Sequence, residues 1–244
     1  MSTLSDLIAD WPAPASIRAI TTRRYSGGFS EAPYDRNNLG LHVGDNPDHV
    51  LRNRRELVTR LQLPGDPAWL DQTHSTTCVV IEETPNRRAD AAITRDKRQV
   101  LAIMTADCLP ILLCNREGTE IAAIHAGWRG LVNGIVEQTV ETMHSQPKDL
   151  MAWIGPGICA SCYEVGDDMR DQFQNKYDFS LPAFQKKDSK WLADLPSLAA
   201  LVLENVSIPT VSKSNLCTFE QKNDFYSYRR EAQTGRMATL IWFT

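Results

Sequence analysis

The chain has 244 residues, 42% of them hydrophobic and 23% charged, a composition that argues against both a disordered segment and a fibrous repeat. Its formal net charge is -4, and its basic residues are scattered apart from short clusters such as Arg52, Arg54 and Arg55, which speaks against nucleic-acid binding through a basic face. Met1 to Pro14 has neither a basic start nor an apolar stretch, no run is long enough for a membrane span, and six irregularly spaced cysteines fit reduced thiols, so a soluble cytoplasmic protein is expected.

In chain order, residues 17–22 predict a strand, and Tyr25-Ser26-Gly27-Gly28 supplies turn chemistry after it. A loop follows with Asn37-Asn38-Leu39-Gly40 and Gly44-Asp45-Asn46. Asn46 can cap a helix with Pro47 in its first turn, where a missing N–H does no harm, and the helix should run to about Leu61. Short apolar segments near 68–72, 77–81, 89–93, 99–105, 110–114 and 120–125 then predict successive strands.

Between Trp128 and Met143, apolar residues recur at three- and four-residue intervals and predict one amphipathic helix. A strand is expected at 150–154, a helix from Gly166 to about Gln174, a second helix over 191–205, and a closing strand from Met237 to Phe243. No repeat or linker divides the chain, so a single α/β or α+β domain is expected, with residues 1–16 as an N-terminal extension.

Three metal-competent side chains finish three of the predicted strands: His74 in Asp71-Gln72-Thr73-His74, Cys108 in Thr105-Ala106-Asp107-Cys108, and His125 in Ile124-His125-Ala126-Gly127. Two imidazoles and one thiolate suit a catalytic zinc with an open fourth position, whereas a structural zinc is closed by four protein ligands. The plainer alternative is a loop histidine, a small core cysteine and a satisfied core histidine. Gly127-Trp128-Arg129-Gly130 then opens the predicted helix, where free N–H groups and the Arg129 guanidinium could receive an anion, or form only a structural turn.

Cys159-Ala160-Ser161-Cys162 is a C-x-x-C that could be a redox pair or half a zinc site, but it lacks a second pair in the sequence. Asp107 and Glu164 are candidate acids, bases or partners of a ligating histidine; surface carboxylates are the alternative. Phe225-Tyr226-Ser227-Tyr228-Arg229-Arg230 joins aromatics to two guanidinium groups, suited either to stacking on a flat ring beside an anion or to an edge strand packed on the core.

Together with Trp153-Ile154-Gly155-Pro156, these segments resemble the laccase-domain, or multicopper polyphenol oxidase, family from about residue 17 to the C-terminus, Ala123-Ile124-His125-Ala126-Gly127-Trp128-Arg129-Gly130 being the most distinctive piece. The resemblance implies zinc on His74, Cys108 and His125, a nearby pocket, and a single-domain α/β/β/α sandwich of mixed sheets. Arg129, Arg229, Tyr228 and Asn38 become candidate contacts to substrate or phosphate. His144 and the Cys159/Cys162 pair match no motif.

The family includes zinc-dependent purine nucleoside phosphorylases and peptidoglycan editing factors. The leading expectation is phosphorolysis of purine nucleosides, with adenosine deamination at the same open zinc position and Glu164 as a candidate proton shuttle. Editing of UDP-muramyl precursors by amide hydrolysis is the second enzymatic reading. Five histidines are too few for a blue-copper site plus a trinuclear cluster, although copper could enter the site in vitro and oxidise phenols. The non-enzymatic alternative, a zinc-stabilised interaction module, needs a fourth ligand, with Cys78 and Cys114 to check. A monomer or weak homodimer is expected.

Overall fold

Successive side chains of a strand point to opposite faces, and in this chain both faces are apolar. A computed structural model describes residues 5–244. In the strand Val100–Thr105, Leu101 and Ile103 enter one hydrophobic cluster while Val100 and Ala102 enter another. In Ile121–Ala126, Ile121 and Ala123 join Leu101 and Ile103, whereas Ala122 and Ile124 face the opposite way. Two sheets therefore share an inner core, and each keeps an outer face that needs a cover.

The first sheet runs Leu7–Ile8, Ile17–Thr21, Met237–Phe243, Val100–Thr105, Pro67–Trp69. The second runs Thr210–Lys213, Leu150–Ile154, Leu109–Asn115, Ile121–Ala126, Ala91–Thr94, Cys78–Val80. Both are mixed: Pro67–Trp69 is parallel to its neighbour in the first, and both edge strands are parallel to theirs in the second, while the remaining pairs are antiparallel.

The helix Pro47–Leu61 covers the outer face of the first sheet. Asn46 caps it by accepting from the Asp48 N–H, and Leu57 is buried against Ile20 and Leu240. Burying that one leucine stabilises by about 1.5–3 kcal/mol. Helices Trp128–Asn133, Ile135–Thr142, Asp167–Lys176 and Leu195–Asn205 cover the second sheet through residues such as Leu131, Val136, Phe173 and Leu198. The result is the expected α/β/β/α arrangement in one domain.

Several local features differ from the pattern read in the sequence, among them the unexpected edge strand Thr210–Lys213. The helix expected over Trp128 to Met143 is two helices, because Gly134 takes a φ of 102° and ends one while starting the next. The apolar period continues across the break because both pieces lie on the same sheet. The helix expected over 191–205 begins only at Leu195, capped by Asp194, which accepts from Ser197 N–H. Lys190–Ala193 is instead a strand, paired with Phe184–Lys187 and with Glu164–Val165 in a small third sheet.

Finally, Leu7–Ile8 pairs with Ile17–Thr21, and Leu7, Ala9, Trp11 and Ala13 pack against the inner core. The described part of the N-terminal segment is thus built into the first sheet. All six cysteines are free thiols. Among the described residues no helix is long and apolar enough to cross a membrane.

Candidate metal centre

The chain crosses from the first sheet to the second between Val100–Thr105 and Leu109–Asn115, and Cys108 lies in that crossing. His125 lies inside Ile121–Ala126 and shares the inward-facing parity of Ile121 and Ala123. His74 lies in the loop between Pro67–Trp69 and Cys78–Val80, with a left-handed φ of 60°. The ligand atoms of these three residues lie within 4.8 Å of one another. Cys108 Sγ is 3.7 Å from His74 Nε2, and the two imidazoles meet nearly edge to face. Burial deepens from exposed His74 through half-buried Cys108 to buried His125, so the cluster opens to solvent on one side.

Asp90 holds the cluster together. It is fully buried beside the strand Ala91–Thr94, and its carboxylate accepts from the backbone N–H of Thr73, His74 and Ser75 at 3.1, 3.0 and 2.7 Å. It also accepts the Ser75 hydroxyl at 2.7 Å and pairs with His125 Nδ1 at 2.8 Å. One carboxylate therefore sets the His74 loop, including its left-handed backbone, and directs His125 Nε2 toward Cys108. Such a partner fixes both the orientation and the tautomer of a ligating histidine.

Gly127 leaves the space that the cluster needs. Its φ of -67° is open to any residue, but a Cβ there would stand 2.6 Å from His74 Cδ2 and 3.1 Å from Cys108 Sγ.

Charge is matched as well. Burial acts against the Cys108 thiolate, but the positive His125 and hydrogen bonds from both imidazoles outweigh it and bring the thiol down to about 6. Burial acts against the His125 imidazolium, but Cys108 and Asp90 raise its value to about 9. Asp90 is desolvated, yet its hydrogen bonds to His125 and Ser75 hold it well below the carboxylate range. The donor set of two imidazoles and a ready thiolate, with the Cβ-sized gap at Gly127, fits a transition-metal ion that keeps an open position.

The other residues singled out in the sequence fall into three groups. Arg129 is exposed, its guanidinium 4.4 Å from the Trp128 ring; the helix it begins has only six residues, so the side chain rather than the helix start is what an anion could use. Arg229 is exposed too, lying 4.9 Å over the Tyr163 ring and donating to the Glu164 carbonyl at 2.9 Å. Tyr228 is 57% exposed, with Arg236 over its ring.

A second group positions others. Asp107, with a φ of 97°, accepts from the Thr218 hydroxyl and the Arg229 N–H, each at 2.7 Å, so both carboxylate oxygens are engaged. Asn38 is fully buried; its Oδ1 accepts from the Gly40 and Arg236 N–H groups, and its amide donates to Asp45. It shapes the loop that carries Arg236 and does not present itself to a ligand.

The third group is committed elsewhere. Glu164 pairs with Lys190 at 2.8 Å and Lys187 at 3.7 Å, and Lys190 in particular holds its carboxyl below the usual value, which engages the carboxylate and makes it a weaker base. Phe225 and Tyr226 are fully buried core residues, but the segment is irregular chain and turn and not the edge strand that the sequence suggested, so only the core-packing half of that reading holds. Cys78 and Cys114 are pushed up by burial to about 11 and about 12, values that fit core packing and not a fourth ligand.

The structure adds residues that the sequence did not single out. Asp90 has only the weak signal of one carboxylate within Ala89-Asp90-Ala91-Ala92-Ile93. Arg236 is half-buried and close enough to feel the charge of Cys108 and Asp107. Tyr163 is also half-buried; burial, with Cys108 and Asp107 nearby, pushes its phenol well above the ordinary range and keeps it protonated.

Residues 18–244 match the family described as multi-copper polyphenol oxidoreductase laccase. The chain belongs to this family. Within the laccase-domain family it is 43% identical over 238 residues to purine nucleoside phosphorylase YfiH of Escherichia coli (strain K12), covering 97% of this chain and 98% of that one. It is 45% identical over 240 residues to a purine nucleoside phosphorylase of Pseudomonas aeruginosa, covering 97% of each. The crystal structure of Neisseria meningitidis protein NMB0706 superposes with a TM-score of 0.92 at 43% identity, over 98% of this chain and 99% of that one. Geobacillus stearothermophilus YlmD gives a TM-score of 0.88 at 28% identity, over 98% and 99%.

Proposed function

We propose that the chain is a cytoplasmic, zinc-dependent purine nucleoside phosphorylase that converts a purine nucleoside and phosphate to the free base and ribose 1-phosphate. The observation that carries this reading is the convergence of His74, Cys108 and His125 at an open edge beside Arg229 and Tyr163. Full-length relatives at 43–45% identity that are named purine nucleoside phosphorylases support it.

Zinc would be held by His74, Cys108 and His125 and would supply an electrophilic point for an oxyanion when bound. Arg129 and Arg229 present guanidinium forks to phosphate, and Arg229 is the better placed because Asp107 fixes its backbone. Tyr228 offers an exposed ring to a purine. Tyr163 keeps its phenol proton and can donate a hydrogen bond beside the thiolate. Asp107, with both oxygens engaged, positions and does not shuttle.

Among the described residues only two histidines converge on this centre, which disfavours the multi-imidazole chemistry that the family name suggests. The test incubates protein of verified zinc content with inosine and with adenosine, with and without phosphate, and separates the products. Phosphate-dependent release of hypoxanthine and adenine is expected, and its loss in Cys108→Ala. Inosine formed from adenosine would reveal deamination at the same centre. No turnover by zinc-loaded protein sinks the phosphorylase reading.

A further inference from the structure

Three of the six thiols meet a second time, after the strand Leu150–Ile154. The sulfurs of Cys159, Cys162 and Cys217 lie within 4.8 Å of one another. Glu220 Oε1 lies 3.7 Å from Cys162 Sγ and 3.4 Å from Ser161 Oγ. In sequence these residues form two short pairs of equal spacing, Cys159-x-x-Cys162 and Cys217-x-x-Glu220. The first pair lies on the turn Ala160–Cys162, and a parallel bridge between Gly157 and Cys217 holds the second beside it. The partner pair that the C-x-x-C lacked in sequence is thus supplied by the fold, with a carboxylate in place of the fourth cysteine.

We propose that Cys159, Cys162, Cys217 and Glu220 form a second metal site, closed by four protein ligands, that takes zinc as a structural ion. Paired short-spaced ligands on two turns are the usual framework of structural zinc. A tetrahedral ion with Zn–S of about 2.3 Å and Zn–O of about 2.0–2.2 Å sets neighbouring donor atoms about 3.5–3.8 Å apart. The three sulfurs reach that spacing by a contraction of about 1 Å or less, and Glu220 Oε1 already stands 3.7 Å from Cys162 Sγ.

Hydrogen bonding points the same way. The Cys159 N–H donates to Cys217 Sγ at 3.3 Å, which ties the first turn directly to the sulfur of the second. A redox pair needs two sulfurs and no more; here a disulfide between Cys159 and Cys162 would leave Cys217 and Glu220 without a role.

This ion would brace the first centre. Cys217 precedes Thr218, whose hydroxyl holds Asp107, and Ile158, beside Cys159, donates to the Asp107 carbonyl at 3.0 Å. Cys162 precedes Tyr163 and Glu164, the ring and carbonyl against which Arg229 lies. The proposal does not rest on the nucleoside reading.

The test measures metal per chain in full-length protein purified under reducing conditions and loaded with Zn²⁺, then repeats the titration with Co²⁺ to read thiolate-to-cobalt absorption. About two ions per chain are expected. Cys108→Ala should lose half of the metal and keep the strong multi-thiolate cobalt band. Cys159→Ser combined with Cys217→Ser should lose the other half and keep only the weak single-thiolate band. Should that double variant fail to fold, Glu220→Gln at the exposed corner provides the second arm, with cobalt affinity at this site expected to fall about tenfold or more. A Cys108→Ala protein that folds but binds no cobalt overturns the proposal, as does protein isolated from cells with Cys159 and Cys162 joined in a disulfide.

Discussion

The His74/Cys108/His125 centre and the Cys159/Cys162/Cys217/Glu220 cluster lie on either side of the Asp107–Thr218 hydrogen bond, and they are assembled in opposite ways. In the first, each ligand comes from a different segment; one buried carboxylate aligns two of them, and a missing side chain leaves them room. In the second, two tight turns bring two ligands each, and the Cys159 N–H, donating to Cys217 Sγ, joins one turn to the other. The first leaves a corner for a reactant, while the second has a protein donor at every corner. An open site has to import its precision from long-range packing, because it cannot take it from a complete ligand shell.

The largest break in this contrast is expected at Gly127. Gly127→Ala puts a methyl group 2.6 Å from His74 Cδ2. Because the backbone angle suits any residue, the fold should survive while the first centre loses its metal and turnover disappears. Metal analysis beside a thermal melt checks this, and an active, metal-loaded Gly127→Ala protein would refute the space argument.

Asp90→Asn comes next. It keeps the shape but replaces a carboxylate oxygen with a donor facing other donors, and metal affinity at the first centre should fall about 10–100-fold. The second cluster should keep its ion, which a competition titration with a chelator can resolve.

Acidity separates the two regions more gently. In the metal-free protein His125 holds its proton up to about 9 and Cys108 loses its own near 6. Between those values an ion entering the first centre must displace one proton, from His125, so its affinity should rise about tenfold per pH unit. Below about 6 the Cys108 proton must leave as well, and the slope should steepen. A flat profile between 6 and 9 would mean that His125 carries no proton for the ion to displace.

The smallest effect is expected at the link between the regions. Thr218→Val removes the hydroxyl that Asp107 accepts from, and should cost about 1–3 kcal/mol of stability for a buried acceptor left short of a partner. Denaturant unfolding measures that cost. A fall in kcat in the same variant, with metal content unchanged, would show that the link also sets Arg229.

Much of the frame was legible because strand burial is written in composition: Leu109–Asn115 and Ile121–Ala126 are apolar on both faces, and only sheet interiors allow that. The three candidate ligands were picked out as metal-competent side chains near expected strand ends and joined into one set by the family resemblance; the fold brings them together, although His74 lies in a loop and His125 inside its strand. Asp90 was not picked out, since a lone carboxylate between alanines gives no sign that five donors will converge on it. Phe225 and Tyr226 were open to two readings, a stacking wall or core packing, and burial decides for the core. Trp191-Leu192-Ala193 runs directly into a helical pattern, so the hairpin it belongs to was hidden by continuity. The Cys217-x-x-Glu220 pair could gain meaning only once the Gly157–Cys217 bridge put it against Cys159.

The Asp90 carboxylate also bears on how this protein can be recombined. It ties the 73–75 loop to the His125 strand in a single knot, so the segments around residues 70–78, 88–94 and 121–126 must be inherited together. A chimera that takes one of them from a distant relative and leaves the others would inherit every ligand by name and still misplace them. Crossover points for engineering the family belong in the surface connections outside that knot.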